Sequence, residues 1–335
     1  MFLSLGLFLL FCTKRNSNRR YPLESYTISS SAEGLEYENK EFDNDYFVEV
    51  SPTGTSSSVQ LKSVIISNIK YAGNSDNANL LQFGFRNVAI DSTSITECEL
   101  PNSIIYKSTS YTGFLKITAS NFKNCKLTGS QTAQYIKDDS QDQLQLEDCI
   151  FHYQDSPRGG IYLFKLDTSF SLLNCNFMNI KGEDSCSAAI FISAIVSDVA
   201  LTIQNCQFIQ TDCQDGAIFF DGSSASSVQI SGCTFDSCRT TLYACFRITI
   251  PSAFTFSENT FQNINLESNS YTTCIISNHN DPIEFDHIAF NAITSSPEYF
   301  GGSAVTLQSV KSIKFNYCEF TKCTQNNENG NGGAV

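Results

Sequence analysis

The chain has few of the residues on which most catalytic and nucleic-acid-binding sites depend. Its 335 residues include no Trp, two Met and three His, and 21 Lys and Arg stand against 34 Asp and Glu. The histidines His152, His279 and His287 lie far apart, and none is part of a recognisable nucleophile motif, so a catalytic triad is not favoured. A formal net charge of −13 argues against nucleic-acid binding, which needs a basic face.

The N-terminal segment also lacks an apolar run long enough to span a bilayer as a helix. Residues 2–12, FLSLGLFLLFC, are too short for that and match the apolar part of a secretory signal. Basic residues follow this run, at positions 14–20, instead of preceding it. We interpret residues 1–20 as a signal peptide, with a short membrane anchor or a misassigned start as alternatives. Contact with a membrane is expected only through residues 2–12, if they are retained.

A repeat fills most of the remaining chain. Around Phe208, apolar residues stand seven and five places earlier (Leu201 and Ile203), and Cys206 stands two places earlier. Eight phenylalanines, which we call the anchors, have apolar residues at the same two places: Phe122, Phe151, Phe177, Phe208, Phe235, Phe261, Phe290 and Phe320. They are 26 to 31 residues apart, a period typical of solenoids and related repeat architectures.

The content of each unit indicates which repeat architecture it forms. The alternation Leu201-Thr202-Ile203 has period two and predicts a half-buried strand, and no segment carries the apolar stripe of a helix. Stacked strands lie roughly 4.7–4.9 Å apart, so equivalent residues of successive units would form columns. Connections between parallel strands are nearly always right-handed. The sequence therefore predicts an all-β fold, a right-handed parallel β-helix solenoid of about ten rungs.

The repeat frame also suggests how the chain is divided. Two weaker units extend it toward the N-terminus, with Leu100 and Tyr71 at the anchor position. Residues 21–58 lack the frame and predict an N-terminal cap, which a solenoid needs to cover its first unit. The repeats occupy residues 59–335. Polar segments between the units predict surface loops: 101–112, 129–142, 181–187, 222–227, 266–271 and 294–301.

A second strand recurs at its own phase and begins with small residues. Its copies are Gly159-Gly160-Ile161-Tyr162, Ser187-Ala188-Ala189-Ile190, Asp215-Gly216-Ala217-Ile218, Gly302-Ser303-Ala304-Val305 and Gly332-Gly333-Ala334-Val335. Glycine suits a sharp turn at that point because it readily adopts positive φ. The last copy stops after four residues, so we expect the repeat array to be incomplete at its C-terminus.

The two alternating units resemble the repeats of the polymorphic membrane protein family, within the wider pectin-lyase-like β-helix group. The resemblance extends over roughly residues 60–335 and implies a β-helix displayed at a cell surface, with a role in adhesion. Three places after the anchor, where that family has Asn, this chain has other residues. Asn comes one place earlier in three units, at Asn124, Asn179 and Asn263.

Cysteine follows the repeat as well. Six of the 14 Cys are assigned to the position two before the anchor, namely Cys98, Cys149, Cys175, Cys206, Cys233 and Cys318, and three to the position three after it, namely Cys125, Cys238 and Cys323. The pairs Cys233–Cys238 and Cys318–Cys323 have a spacing compatible with zinc, but no other part of a zinc motif accompanies them. Buried Cys behaves as a small hydrophobe. We therefore expect core packing and no metal site.

An acidic loop is the best remaining candidate for chemistry. Asp138, Asp139 and Asp142 crowd one segment, and Arg158 follows about half a turn later. Carboxylates that hold Ca²⁺ beside an Arg base would resemble the pectate-lyase arrangement. However, loops with several Asp are usually just solvated, and the Gly-His-Gly and Arg-Ile-Lys patterns of polygalacturonases do not occur. We expect no catalytic residues and no cofactor, with Ca²⁺ as the one ion that these residues could bind.

These observations favour a binding protein over an enzyme. We interpret the chain as an extracellular or cell-surface, adhesin-like β-helix whose variable loops contact a protein or glycan ligand. The alternative is a carbohydrate-active lyase or hydrolase on the same fold, because one architecture hosts unrelated functions. A third interpretation, a membrane-anchored structural repeat, requires that residues 2–12 are retained.

The Cys column leads to a first prediction. Cys149, Cys175, Cys206 and Cys233 would have Cα atoms about 4.8 Å apart, within the range of a disulfide. Their Cα–Cβ bonds would be parallel, however, so the Cβ atoms stay farther apart than the roughly 3.5–4.5 Å of a disulfide. We expect all four to remain reduced in the secreted protein. Alkylation and mass mapping that found two of them joined would contradict this.

Overall fold

The computed structural model describes most of the chain between residues 23 and 325. The described residues are 23–51, 58–107, 113–129, 133–138, 143–156, 159–163, 168–182, 188–192, 199–214, 216–221, 227–240, 244–250, 253–266, 272–278, 283–295, 303–308 and 312–325. Every regular element in these ranges is a β-strand, as expected for an all-β protein. In the same ranges, no helix is present that could cross a membrane. Residues 2–12 lie outside them.

The strands form three sheets that the chain visits in turn. Sheet A contains β1 (Tyr26–Ile28), β4 (Tyr46–Val50), β7 (Asn79–Phe83), β11 (Ser103–Lys107), β15 (Gln134–Asp138), β18 (Gly159–Leu163), β21 (Ala188–Ile192), β25 (Ile218–Asp221), β28 (Ala244–Ile250), β31 (Thr272–Asn278) and β34 (Val305–Gln308). Sheet B contains β2 (Ala32–Glu33), β5 (Ser58–Lys62), β8 (Asn87–Asp91), β12 (Phe114–Thr118), β16 (Gln143–Glu147), β19 (Phe170–Leu173), β22 (Ala200–Gln204), β26 (Ser227–Ser231), β29 (Ala253–Ser257), β32 (Ile283–Asp286) and β35 (Ile313–Asn316). Sheet C contains β3 (Glu36–Phe42), β6 (Ile65–Tyr71), β9 (Ser94–Thr96), β10 (Glu99–Leu100), β13 (Asn121–Lys123), β14 (Lys126–Leu127), β17 (Ile150–Asp155), β20 (Asn176–Gly182), β23 (Gln207–Ile209), β24 (Asp212–Cys213), β27 (Thr234–Asp236), β30 (Thr260–Asn265), β33 (Ala289–Ser295) and β36 (Glu319–Gln325).

Successive turns of the chain, the rungs, stack in parallel and build a solenoid. In each sheet a strand pairs in parallel with the strand of the next rung, as β22 does with β26. Sheets A and B contain 11 strands each, so the rung count differs slightly from the predicted number of about ten. Part of the difference comes from residues 26–50, which contribute strands at the first ends of the sheets. The capping role of residues 21–58 stays a prediction.

The anchors form the predicted stack inside sheet C. Seven consecutive pairs, from Phe122–Phe151 to Phe290–Phe320, have ring centroids 4.5–5.1 Å apart and interplanar angles of 4–11°. Facing them from sheet B, Leu201 and Ile203 are each 1% exposed. Burying each such side chain contributes about 1.5–3 kcal/mol. Because the rings are stacked in register, each anchor is covered by its copies in the neighbouring rungs.

The predicted anchor positions of the two weaker units, Leu100 and Tyr71, are wrong. Phe122 is in register with Ile95, and Ile95 with Ile66, so these isoleucines occupy the anchor position. Leu100 instead pairs with Leu127, five places after the anchor. Cys98 therefore lies three places after its anchor. The prediction counts Cys98 as the Cys two places before an anchor, which makes Leu100 the anchor. The structure instead places Ile95 at the anchor position.

Two segments that the sequence analysis placed in loops contain strands of sheet A. The segment 101–112 contains β11, and the segment 129–142 contains β15. Neither SIIYK nor QYIKD has a small residue directly before the Ile that is in register with Ile161, since Ile104 and Tyr135 stand where that strand has Gly160. The prediction that glycine adopts positive φ at the start of this strand is confirmed. Gly159 and Gly216 have φ of 84° and 78°, and a Cβ on Gly216 would lie 2.3 Å from the carbonyl oxygen of Ala244.

Left-handed residues at two fixed phases turn the chain. Between sheets B and C, three places before each anchor position, φ lies between 47° and 68° at Gly34, Ser63, Ser92, Ala119, Asp148, Asn174, Asn205, Gly232, Glu258, His287 and Tyr317. The second phase is two places after the anchor and includes Asn124, Asn179 and Asn263. Asn tolerates this conformation better than most residues. This explains why Asn comes one place early relative to the polymorphic membrane protein pattern.

The Cys column satisfies the backbone groups of the turn between sheets B and C. The Cys206 thiol donates to the carbonyl of Gln204 at 3.1 Å and accepts the N–H of Cys175 at 3.4 Å. Other rungs use different side chains at this position. Ser120 accepts the N–H of Thr93 at 3.2 Å, and Asn259 accepts that of Cys233 at 2.9 Å. Ser, Cys and Asn at this position therefore contribute hydrogen bonds as well as hydrophobic filling, whereas Val64 and Ile288 only fill it in their rungs.

This environment also lowers the reactivity of Cys149. Cys149, Cys175, Cys206 and Cys233 are buried and not joined by disulfides. The hydrogen bond with Cys175, together with burial, raises the pKa of Cys149 well above its ordinary value. The hydrogen bond with Cys206 instead lowers the pKa of Cys233. Since the thiolate is the nucleophile, a thiol held in its protonated form reacts slowly.

Replacing an anchor should test the stack directly. We expect Phe208→Ala to lower the free energy of unfolding by about 3–5 kcal/mol, because both neighbouring rings would line a cavity. Gln207, the adjacent exposed residue, provides the control, and Gln207→Ala should change stability by less than about 0.5 kcal/mol. Urea unfolding measures both values. If Phe208→Ala and Gln207→Ala lowered the free energy of unfolding by the same amount, the claim that the Phe stack stabilises the rung would be contradicted.

Candidate ligand-binding face

Outward-facing side chains distinguish the three sheets. On sheets B and C, polar side chains are hydrogen-bonded to one another between rungs. Thr118 donates to Asp91 at 2.7 Å on sheet B, and Gln262 donates to Asp236 at 2.8 Å on sheet C. Burial alone would raise the pKa of Asp236, but its hydrogen bonds outweigh that effect and lower the pKa. These two faces also carry exposed apolar side chains, at Phe114 on sheet B and at Ile65 and Ile150 on sheet C.

Sheet A carries a different outer face. Alternation along its strands directs Ile190 and Ile192 into the core and Phe191 to the opposite side. We call the residues on that side the outer column: Tyr106, Lys137, Phe191, Phe219 and Arg247. Tyr106 is in register with Lys137, and Phe219 is in register with both Phe191 and Arg247. Strand β18 connects the two groups, because it pairs with β15 and with β21.

Aromatic rings and cations are in direct contact within each of the two groups of this column. The rings of Phe191 and Phe219 stack with centroids 4.5 Å apart, and the guanidinium of Arg247 lies 5.0 Å from the centroid of Phe219. The ammonium of Lys137 lies 5.4 Å from the ring centroid of Tyr106. Phe191 and Phe219 are 4% and 8% exposed, although neither belongs to the core cluster. Each cation–π contact contributes about 0.5–1 kcal/mol and restricts the cation.

The chemistry of the outer column suits recognition of an anionic or ring-containing ligand. Arg and aromatic residues are enriched at interfaces, because they combine contact area with directional bonding. The planar guanidinium of Arg247 can pair with a carboxylate through two hydrogen bonds. Two cations in one column are also notable in a chain whose formal net charge is −13. The column therefore places two cations on one face of an acidic protein.

The sequence analysis did not identify this face. Tyr106 and Lys137 were placed in loops, so their strand periodicity was not considered. The available signal was the alternation in SIIYK and QYIKD, where the residues on either side of Tyr106 and the Ile before Lys137 are buried. Contacts between rungs, such as that of Arg247 with Phe219, depend on register and could not be derived from one strand alone.

Of the weak catalytic candidates, only Asp138 lies among the described residues. Asp138 is the last residue of β15 and is in register with Lys107, so it belongs to sheet A and not to a surface loop. Lys107 itself is fully buried, which the sequence analysis missed. Asp139, Asp142 and Arg158 lie outside the described residues. A catalytic role for these residues stays untested.

Possible metal ligands are likewise spread along the columns. In the described ranges, no group of three or more His, Cys, Asp or Glu could hold a metal ion. The Cys238 thiol lies 3.2 Å from the carbonyl oxygen of Phe208, which is a contact with the backbone of the preceding rung. His287 has a φ of 54° and lies 3.0 Å from a carboxylate oxygen of Asp286, which confirms it as a turn residue.

Comparison with known proteins agrees with this architecture. The family model of the right-handed β-helix region matches residues 86–261, more than half of the chain. The protein therefore belongs to that family, and the predicted right-handed parallel β-helix is confirmed. A search of curated proteins finds no match to this chain. Family membership defines the fold and leaves the ligand open, because function resides in the site and not in the fold.

Proposed function

We propose that the protein is a non-catalytic, secreted or cell-surface β-helix protein that binds a protein or glycan ligand through the outer column of sheet A. The single observation that carries this proposal is the pair of cation–π contacts in that column, in each of which a cation lies over the aromatic ring of a neighbouring rung. The resemblance to polymorphic membrane proteins supports an adhesin-like role at a cell surface. The apolar segment 2–12 supports export.

The rigidity of the solenoid favours binding. Each residue of the outer column projects from a strand that is hydrogen-bonded to both neighbouring rungs, as in the pairing of β25 with β21 and β28. The cation of Arg247 is further restrained by the ring of Phe219. A ligand that binds such a surface pays little entropy for ordering it, and preorganisation of this kind increases affinity.

Binding can be tested with the full chain on arrays of glycans and cell-surface proteins. For a ligand found in this way, we expect Arg247→Ala and Lys137→Ala each to weaken binding about fivefold or more, which corresponds to about 1 kcal/mol per lost charge contact. Lys116 on sheet B is the matched control, since Lys116→Ala removes the same charge from another face, where its ammonium lies 3.8 Å from Glu147.

The pattern of effects decides the proposal. Retained affinity in Lys116→Ala, with native circular dichroism spectra in all three variants, would assign the losses to the outer column. Equal losses at Lys116 and Arg247 would indicate non-specific attraction and contradict the proposed face. Unchanged binding in Arg247→Ala and Lys137→Ala would contradict it as well.

The rival activity has its own test. We expect the purified protein not to cleave polygalacturonate and not to release reducing sugars, with or without Ca²⁺, because the recognisable catalytic sets are missing from the sequence. Absorbance of unsaturated products and a reducing-sugar assay measure this. Calcium-dependent formation of unsaturated product that is lost in Asp139→Ala or Arg158→Ala would instead establish a lyase.

A further inference from the structure

Two thiols meet inside one rung from different sheets. Cys238 follows β27 in sheet C, and Cys245 lies in β28 of sheet A. Both side chains are fully buried, and the two thiols are hydrogen-bonded to each other. Neither is part of a disulfide in this structure. The pair was not anticipated, because Cys245 has no place in the Cys columns of the repeat.

A neighbouring part of the solenoid shows that these two positions face each other across the interior. Tyr135 occupies the column of Cys245, and Cys125 occupies the column of Cys238, as the strand registers show. The Tyr135 hydroxyl donates a hydrogen bond to the carbonyl of Cys125. Side chains from these columns therefore face each other across the interior, and Cys238 and Cys245 hold the equivalent positions of their rung.

This geometry differs from that of the stacked thiols. Cys175 and Cys206 are also buried and also share a hydrogen bond between thiols, but they occupy one column in adjacent rungs. Their Cβ atoms are held near the rung spacing of roughly 4.8 Å. A disulfide requires Cβ atoms roughly 3.5–4.5 Å apart. Cys238 and Cys245 approach from two sheets, so the rung spacing does not keep them apart.

We propose that Cys238 and Cys245 are an oxidisable pair that closes into a disulfide within one rung when the chain folds in the presence of a low-molecular-weight disulfide such as oxidised glutathione. The thiolate of one Cys attacks a glutathione sulfur and releases one glutathione thiolate, which leaves a mixed disulfide. The second Cys attacks the protein sulfur of that bond and releases the other glutathione. The two protons of the Cys thiols pass to the two glutathiones, so the two Cys are oxidised and one oxidised glutathione is reduced.

The reaction takes place while the chain folds, because both thiols are inaccessible in the folded protein. The resulting bond would join sheets C and A across residues 239–244 and fix the width of this rung. In this it differs from a bond along the solenoid axis, which would join two rungs. The proposal does not depend on the identity of the ligand of the outer column.

Refolding tests the proposal on the full chain. The protein is reduced and unfolded in urea, refolded in a glutathione redox buffer, quenched with acid, alkylated and mapped by mass spectrometry. We expect a disulfide between Cys238 and Cys245 and alkylated Cys175 and Cys206. Folded protein in which Cys238 and Cys245 are both alkylated would overturn the proposal, and so would a disulfide between Cys175 and Cys206 in their place.

Two variants make the assignment specific. Cys245→Ser should abolish the disulfide, whereas Cys175→Ser should leave it unchanged. If Cys245→Ser does not fold, the wild-type map still decides the outcome. In addition, we expect the oxidised wild-type protein to unfold at a higher urea concentration than the same protein after reduction. An unchanged or lower midpoint would mean that the bond strains the rung, which contradicts a pair placed for closure.

Discussion

Parallel pairing between successive rungs is the interaction on which the rest of the structure depends. It places each residue directly above its equivalent in the previous rung, so a side chain must be compatible with its neighbours along the column as well as with the core. Flat Phe rings meet this condition well, and seven pairs of anchors stack with centroids 4.5–5.1 Å apart. Outside the core, the same pairing aligns Arg247 with Phe219, so the candidate binding face and the stability of the rod have one origin.

The turns impose the second constraint. A sharp change of direction between sheets B and C requires a left-handed residue, and in most rungs the residue after it satisfies backbone groups that need a hydrogen-bond partner, with Val64 and Ile288 as exceptions. Ser120, Cys206 and Asn259 all meet this need in their own rungs. Buried backbone groups are costly when they lack a partner. The recurrence of Cys in this column is therefore explained by its weak hydrogen bonding as well as its size, and no metal or disulfide is needed to account for it.

How much could be predicted from the sequence depends on whether a feature repeats locally. The anchors and the aliphatic residues before them recur in one window, so the fold class and the Phe stack could be predicted. Strands β11 and β15 carry neither an anchor nor an initial glycine, and both were placed in loops. Tyr106 and Lys137 lie in these two strands, so their position on the outer face of sheet A could not be predicted. Contacts such as Phe191 with Phe219, or Cys238 with Cys245, join residues whose proximity depends on the register between rungs or sheets, which one sequence does not specify.

The central claim is that turn positions are occupied according to the hydrogen bonds they must make, and Cys206 tests it most directly. Ser and Ala have similar volumes, but only Ser keeps a donor for the carbonyl of Gln204 and an acceptor for the N–H of Cys175. Urea unfolding of Cys206→Ser and Cys206→Ala compares the two. The account predicts that Cys206→Ala is less stable than Cys206→Ser by about 1–3 kcal/mol, the cost of leaving buried polar groups without partners. Equal stability of the two variants would contradict it and reduce the column to hydrophobic packing.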